Sequence, residues 1–159
     1  MDQARTFGVV SQARATALGG LEFLRQMLAG TLPSPPFAET TDMWPISADR
    51  GRVVFEAAPS ARFYNPMGMV HGGWLGTVLD TVMGCAVHSA LEAGQFYTTL
   101  EMKIVFVKAV FEKTGVLRAE GTLLHAGSRV ASAEGKIFDA AGTLVAHGSE
   151  TCLIMQAPR

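Results

Sequence analysis

Between Asn65 and Leu91 the chain reads NPMGMVHGGWLGTVLDTVMGCAVHSAL, a long apolar helical pattern carrying polar groups that a buried helix does not tolerate unaided. From Trp74 onward, Leu75, Val78, Leu79, Val82, Met83, Ala86, Val87, Ala90 and Leu91 recur at the spacings of a stripe broader than a surface helix needs. Such a helix has to be wrapped. Asp80 sits in its middle, where a buried carboxylate without partners costs several kcal/mol. Thr77 and Thr81 lie near enough on the helix to be partners, and so does a helix across an interface. Gly76 and Gly84 stand one turn to either side, so the acid projects from a strip cleared of neighbouring side chains. Gly72, Gly73, Gly76 and Gly84 each cost about 0.5–1 kcal/mol relative to alanine in a helix. A sheet folded tightly around the helix, backbone against backbone, is the simplest compensation.

At the start of this helix, Gly72 and Gly73 leave backbone N–H groups uncovered at the positive end of the macrodipole, which suits an anion or a developing oxyanion. Eight residues separate Gly72 from Asp80, about 12 Å along a helix axis. One carbonyl carbon cannot touch both. If both act in one reaction, they come from two subunits, and antiparallel pairing of two such helices across a two-fold axis makes two identical sites.

The remaining chain supplies the wrapping. Ser11 to Ala29 reads as an amphipathic helix ending near Gly30, with Gly19–Gly20 a point of breakage. TLPSPPF, with three prolines in four positions, reads as a stiff connector without helix or central strand. Thr40–Ile46 and Gly51–Ala58 form a hairpin around Ser47–Arg50, and 59–69 is a loop that delivers Asn65 and His71 to the helix end. Gly94 suits the left-handed cap after the helix. Four strands follow, at Thr99–Val107, Thr114–Leu124, Arg129–Phe138 and Thr143–Ile154, with turns at HAGS and DAAG. In the first of them Leu100, Met102, Ile104 and Phe106 alternate onto a buried face, leaving Glu101 and Lys103, and with them Thr99, on the wetter one. Ala119, Gly121, Ala131, Ala133 and Gly135 are small enough to let a helix lie close. The order predicts an α+β fold: an antiparallel sheet around a long central helix, with one extra N-terminal helix. We divide the single domain, 1–159, into an N-terminal helix at 1–30, a Pro-rich connector at 31–36 and a core at 37–155.

Composition bounds the function. The 159 residues are 48% hydrophobic and 17% charged with a formal net charge of −1, and the scattered cations form no basic stripe for nucleic acid or membrane. No leader or span is legible, so a cytoplasmic location is expected. Cys85 and Cys152 lie far apart, and His88, His125 and His147 lack ligand spacing, so no disulfide, zinc site or other metal is expected.

The spacing N-x5-HGG-x6-D, filled by Asn65, His71, Gly72, Gly73 and Asp80, resembles that of the hotdog-fold acyl-CoA thioesterases of the phenylacetate-degradation (PaaI-like) type. The likeness continues through LDTVMGCAVHSAL and YTTLEMKIVFVKA. It implies hydrolysis of an acyl-CoA thioester in a homodimer or homotetramer, with no cofactor, since coenzyme A is part of the substrate. It implies that the Gly72 amide binds the thioester oxygen, with Gly73 beside it, while Asp80 of the partner subunit acts as base or nucleophile. Asn65 then orients the reacting groups, His71 supports the turn or the carbonyl, and Thr99 positions water, with Thr98 as the alternative. Relatives often carry arginines for coenzyme A phosphates where this chain has Ser128 before Arg129, and Lys108–Ala109. Arg129 is the candidate contact, with Arg118 or Lys136 as substitutes. A hotdog hydratase and a non-catalytic acyl-CoA-binding protein are the alternative readings.

Overall fold

The computed structural model describes residues 6–157. Its central element is α4, Gly72–His88, with ten of its side chains or glycines buried. Around it curls one six-stranded antiparallel sheet of β1 (Met43–Asp49), β2 (Arg52–Ala57), β3 (Gln95–Phe106), β4 (Leu117–Ala126), β5 (Val130–Phe138) and β6 (Leu144–Gln156). The strand order is β1-β2-β4-β5-β6-β3, so β1 and β3 are the edges. This is the antiparallel sheet around a long central helix expected from the order of elements, and the hotdog fold that the resemblance implies. Val78, Leu79, Val82, Met83, Ala86 and Val87 of α4 are fully buried against Ala119, Ala131, Ala133 and Ile137 of the sheet. No helix among the described residues is long and apolar enough to cross a membrane.

Close approach of helix and sheet is bounded by glycine. A Cβ at Gly121 of β4 would collide with the Val82 carbonyl, and one at Gly135 of β5 would lie 2.8 Å from Met83 Cγ. The small residues read as a helix seat are therefore that seat.

Three local expectations change. The N-terminal segment holds two helices instead of one, α1 (Gln12–Ala17) and α2 (Gly20–Leu28), parted at Leu18 and Gly19, both with extended backbone. Residues 1–5 of the expected N-terminal helix lie outside the described residues. Gly20 sits where any Cβ would collide with the His88 carbonyl, so the break docks α2 on the end of α4. The proline-rich connector runs straight into a helix, α3 (Pro36–Thr41), because Pro36 is its first residue, where the missing N–H costs nothing. Thr40 and Thr41 are therefore helical, and β1 starts at Met43.

The third change is in β3. Leu100 is an extra residue, a bulge between the pairs Thr99↔Cys152 and Glu101↔Thr151. Before it the odd residues Tyr97 and Thr99 face α4; after it the even residues Ile104 and Phe106 do. Strict alternation, which put Thr99 on the wetter face, fails at that one residue. The expected buried face is also largely open: Leu100, Met102 and Phe106 are 59%, 45% and 53% exposed along this edge strand.

Gly121→Ala should lower stability by roughly 3 kcal/mol, a fall in Tm of about 6–12 °C, because α4 must move off the sheet. Gly142→Ala, at φ 77 with nothing within 4 Å of the added Cβ, serves as the comparison and should cost about 1 kcal/mol. Equal melting temperatures for the two variants would show that the helix is not seated on Gly121.

Candidate active site

The loop before α4 is held from several sides. His71 N–H donates to the Phe63 carbonyl at 2.7 Å and Val70 N–H to the Val110 carbonyl at 2.9 Å. Trp74, buried, donates its indole N–H to the Thr41 carbonyl at 2.8 Å and stacks on Phe63 with centroids 5.1 Å apart. Asn65 Oδ1 accepts from the Met67 and Met69 amides at 2.9 and 3.3 Å, an Asx turn that leaves its NH2 group available to donate.

At the helix start His71 is the N-cap, and its Nδ1 accepts from Gly73 N–H at 2.8 Å. That bond makes Nδ1 the unprotonated ring nitrogen. It also separates the two glycines: Gly73 N–H is taken, whereas Gly72 N–H has no acceptor among the described residues. The free amide opens on a cavity of about 320 Å³ lined by Asn65, Met69, Gly72, Phe106 and Lys108 among others.

Asp80, half-buried, lies two turns further along α4. Thr77 and Thr81 do not serve it; their hydroxyls donate to the Gly73 and Thr77 carbonyls within the helix. Its partner is Thr99, whose Oγ1 is 3.1 Å from Asp80 Oδ1. The same Oγ1 is 3.0 Å from Oε1 of Glu150, a β6 residue only 2% exposed. Cys152 Sγ donates to that Oε1 at 2.8 Å, while Glu150 Oε2 is buried without a partner. Burial, with the Asp80 carboxylate close by, pushes the Glu150 carboxyl up to about 6. The site is thus a pair of carboxyl groups with a threonine hydroxyl between them.

Glu150 was missed by the motif. Its signal lay in the parity of β6, which sets it on the same face as buried Cys152 and Ile154. Thr98 is exposed on the opposite face of β3 and does not join the site. Arg129 is exposed just before β5, at the Tyr97 end of the sheet, and is not brought to Gly72 or Asp80 within one chain. Arg118, Lys136 and Lys108 pair with Glu120, Glu134 and Asp139, whereas Arg129 has no ion-pair partner among the described residues. Burial pushes the Cys85 thiol up to about 12, so it is no nucleophile at neutral pH. Trp74 is in the core, and Met67 is 80% exposed.

Residues 67–146 match the model of the thioesterase superfamily. The chain belongs to that family. It is 31% identical over 103 residues to a protein of Saccharolobus solfataricus that bears the name of an esterase, covering 65% of this chain and 71% of the relative. The crystal structure of a phenylacetic acid degradation-related protein of Ralstonia eutropha JMP134 superposes with a TM-score of 0.75 at 31% identity, covering 82% of this chain and 98% of that one. The smu.793 protein of Streptococcus mutans UA159, solved bound to acetyl CoA, shares the fold with a TM-score of 0.66 at 21% identity over 74% of this chain and 91% of that one. The protein is a thioester hydrolase of the PaaI-like hotdog type.

The raised Glu150 carboxyl has a consequence for stability. Its folded value, about 6, exceeds the ordinary 4.5, so the native state holds the proton more tightly than the unfolded chain and stability falls as pH rises from about 4.5 through 6. For a group this buried the loss is about 2 kcal/mol. Glu150→Gln should melt with the parent near pH 4 and about 4–8 °C above it at pH 8; parallel Tm curves across pH would refute the elevated value.

Proposed function

We propose that the protein hydrolyses acyl-CoA thioesters at two sites built across a homodimer. In each, Gly72 N–H of one protomer binds the thioester oxygen and Asp80 of the other activates the attack. The observation that carries this reading is the arrangement on α4. A free amide and a carboxylate lie about 12 Å apart along the axis of one straight helix, too far for one carbonyl group. A second copy running antiparallel closes that gap. Edge strand β3 supports it, since it presents twelve residues with Leu100, Met102, Val105 and Phe106 exposed, an unpaired apolar edge that a second copy would cover.

Asp80 takes a proton from water as that water adds to the carbonyl carbon, or adds its own oxygen to give an anhydride that water then opens. In either route the carbonyl electrons move to oxygen, where the preorganised Gly72 amide and the helix dipole stabilise them by about 2.7–4 kcal/mol. Collapse expels the coenzyme A thiolate, a good leaving group that needs little help. Asn65 NH2 and Thr99 Oγ1 orient the reacting groups, His71 holds the turn by capping Gly73, and Arg129 is the cation available for a coenzyme A phosphate. For the acyl group we assign the apolar cavity of about 340 Å³ lined by Phe23, Leu24, Met27, Cys85, His88 and Tyr97, one turn beyond Asp80.

Asp80→Asn should lose at least about 100-fold in kcat on an acyl-CoA panel with an unchanged fold. Gly72→Pro deletes the N–H: position 72 is the first helical residue, and His71, at ψ 134, already has the extended backbone that precedes proline. Because any Cβ at Gly72 lies 3.0 Å from Phe106 Cζ, Gly72→Ala, which keeps the N–H, is its control. The proline variant should lose about 10²–10³ in kcat. Subunits of the two inactive variants, unfolded and refolded together, should recover about a quarter of parental activity, since half of the random dimers carry one intact site. No recovery on mixing would refute a shared site. Met27→Trp should shift preference toward shorter acyl chains, and an unchanged chain-length profile would remove the 340 Å³ cavity from the binding site.

A further inference from the structure

Thr99 Oγ1 touches two carboxyl oxygens, Asp80 Oδ1 at 3.1 Å and Glu150 Oε1 at 3.0 Å, yet a threonine hydroxyl carries one proton. It satisfies one of them. The second contact is a hydrogen bond only if a carboxyl group brings a proton of its own. Glu150 Oε2 makes the same demand, because it is buried with no donor in reach and an ionised oxygen left that way is costly.

The groups around Glu150 offer no counter-charge. From α4 come Asp80 and Cys85, from β3 Tyr97 and Thr99, from β6 Cys152, and β5 sets Ala133 directly opposite. No lysine or arginine is among them. Two negative charges sharing this space repel, and the more deeply buried group takes the proton. Glu150 is 2% exposed and Asp80 half-buried, so the proton belongs on Glu150.

We propose that Glu150 is a positioning residue of the thioesterase site: as a neutral acid it donates into the Thr99–Asp80 pair and holds Asp80 as the ionised, oriented carboxylate. A proton on Glu150 Oε1 makes its 3.0 Å contact with Thr99 Oγ1 a hydrogen bond, and the unpartnered Oε2 becomes the carbonyl oxygen of a neutral acid, less costly to bury than a carboxylate oxygen. That arrangement also lets Thr99 spend its single proton on Asp80. Glu150 touches no reacting atom; it acts through its neighbours. The inference rests on the thioesterase reading of Asp80, and it adds to that reading a proton held on Glu150.

Two measurements on the full-length protein test it. The first is kcat and KM on an acyl-CoA substrate from pH 5 to 9 for the parent, Glu150→Ala and Glu150→Gln. The alanine variant should lose about tenfold or more in kcat with KM within about twofold, since orientation and not binding is lost. The glutamine variant keeps an NH2 donor that cannot ionise; it should recover most of the lost kcat and lack the alkaline fall expected of the parent as Glu150, raised to about 6, gives up its proton. An alanine variant with the parental pH profile, or a glutamine variant as impaired as alanine, overturns the proposal. The second is a 13C titration of the Glu150 carboxyl carbon, which needs no turnover. Its midpoint should lie near 6 in the parent and fall in Asp80→Asn; an ordinary midpoint near 4.5 overturns the neutral Glu150. If the parent hydrolyses no thioester at all, the functional reading fails, and the titration still decides where the proton resides.

Discussion

The candidate site leans on one contact, the packing of edge strand β3 against a strip of α4 that repeats every four residues. Gly72, Gly76, Asp80, Gly84 and His88 form that strip. Phe106 lies over Gly72, Ile104 over Gly76, Thr99 bonds Asp80, and the Tyr97 ring covers Gly84 and approaches His88 with centroids 5.9 Å apart. A Cβ at Gly84 would strike the Tyr97 hydroxyl, and one at Gly76 would lie 3.1 Å from Ile104 Cδ1. The glycines weaken the helix as a helix and strengthen it as a seat for the strand. Because strand and helix rise at different rates per residue, about 3.3 against 1.5 Å, their side chains do not stay in step for long. The bulge at Leu100 resets the phase so that residues on both sides of it still meet the helix.

That phase reset decides how much was legible beforehand. The glycine strip, Asp80, the free helix start and the six strands all follow from periodicity and from the cost of placing those residues inside a helix. Thr99 could be assigned only through resemblance, since alternation counted from Leu100 points it to the wrong face. Bulges leave no reliable mark in a strand of mixed residues. The short helix at Pro36 was hidden because proline reads as a breaker until its position, first or interior, is known. Glu150 was hidden differently: its parity with Cys152 and Ile154 was visible, but a glutamate in a strand reads as solvent-facing until something inside needs it.

Ser34, Thr41, Ser89 and Asp139 are buried singly elsewhere, but one group of polar side chains is gathered at a single place. Asp80, Thr99, Glu150 and Cys152 are drawn from α4, β3 and β6, the first two consecutive in the chain and the third at its far end. Their burial offsets part of the stability that the surrounding apolar packing supplies. A domain that tolerates a raised carboxyl inside its sheet has kept a feature that folding alone would remove, which is why the cluster marks the chemistry.

The two edges of the sheet differ in the same sense. β1 is blunted: Pro45 cannot donate to a further strand, the register slips between Pro45 and Ser47, and Asp49 ends it in a charge. β3 has no proline, is the second longest strand, and exposes apolar side chains at Leu100, Met102, Val105 and Phe106. A monomer gains nothing from such an edge and risks aggregation through it. Pairing through β3 would also lay the two α4 helices beside the same seam, antiparallel as the proposed site requires. One surface feature and one geometric gap, the 12 Å or so between Gly72 and Asp80, thereby call for the same partner, a second copy of this chain.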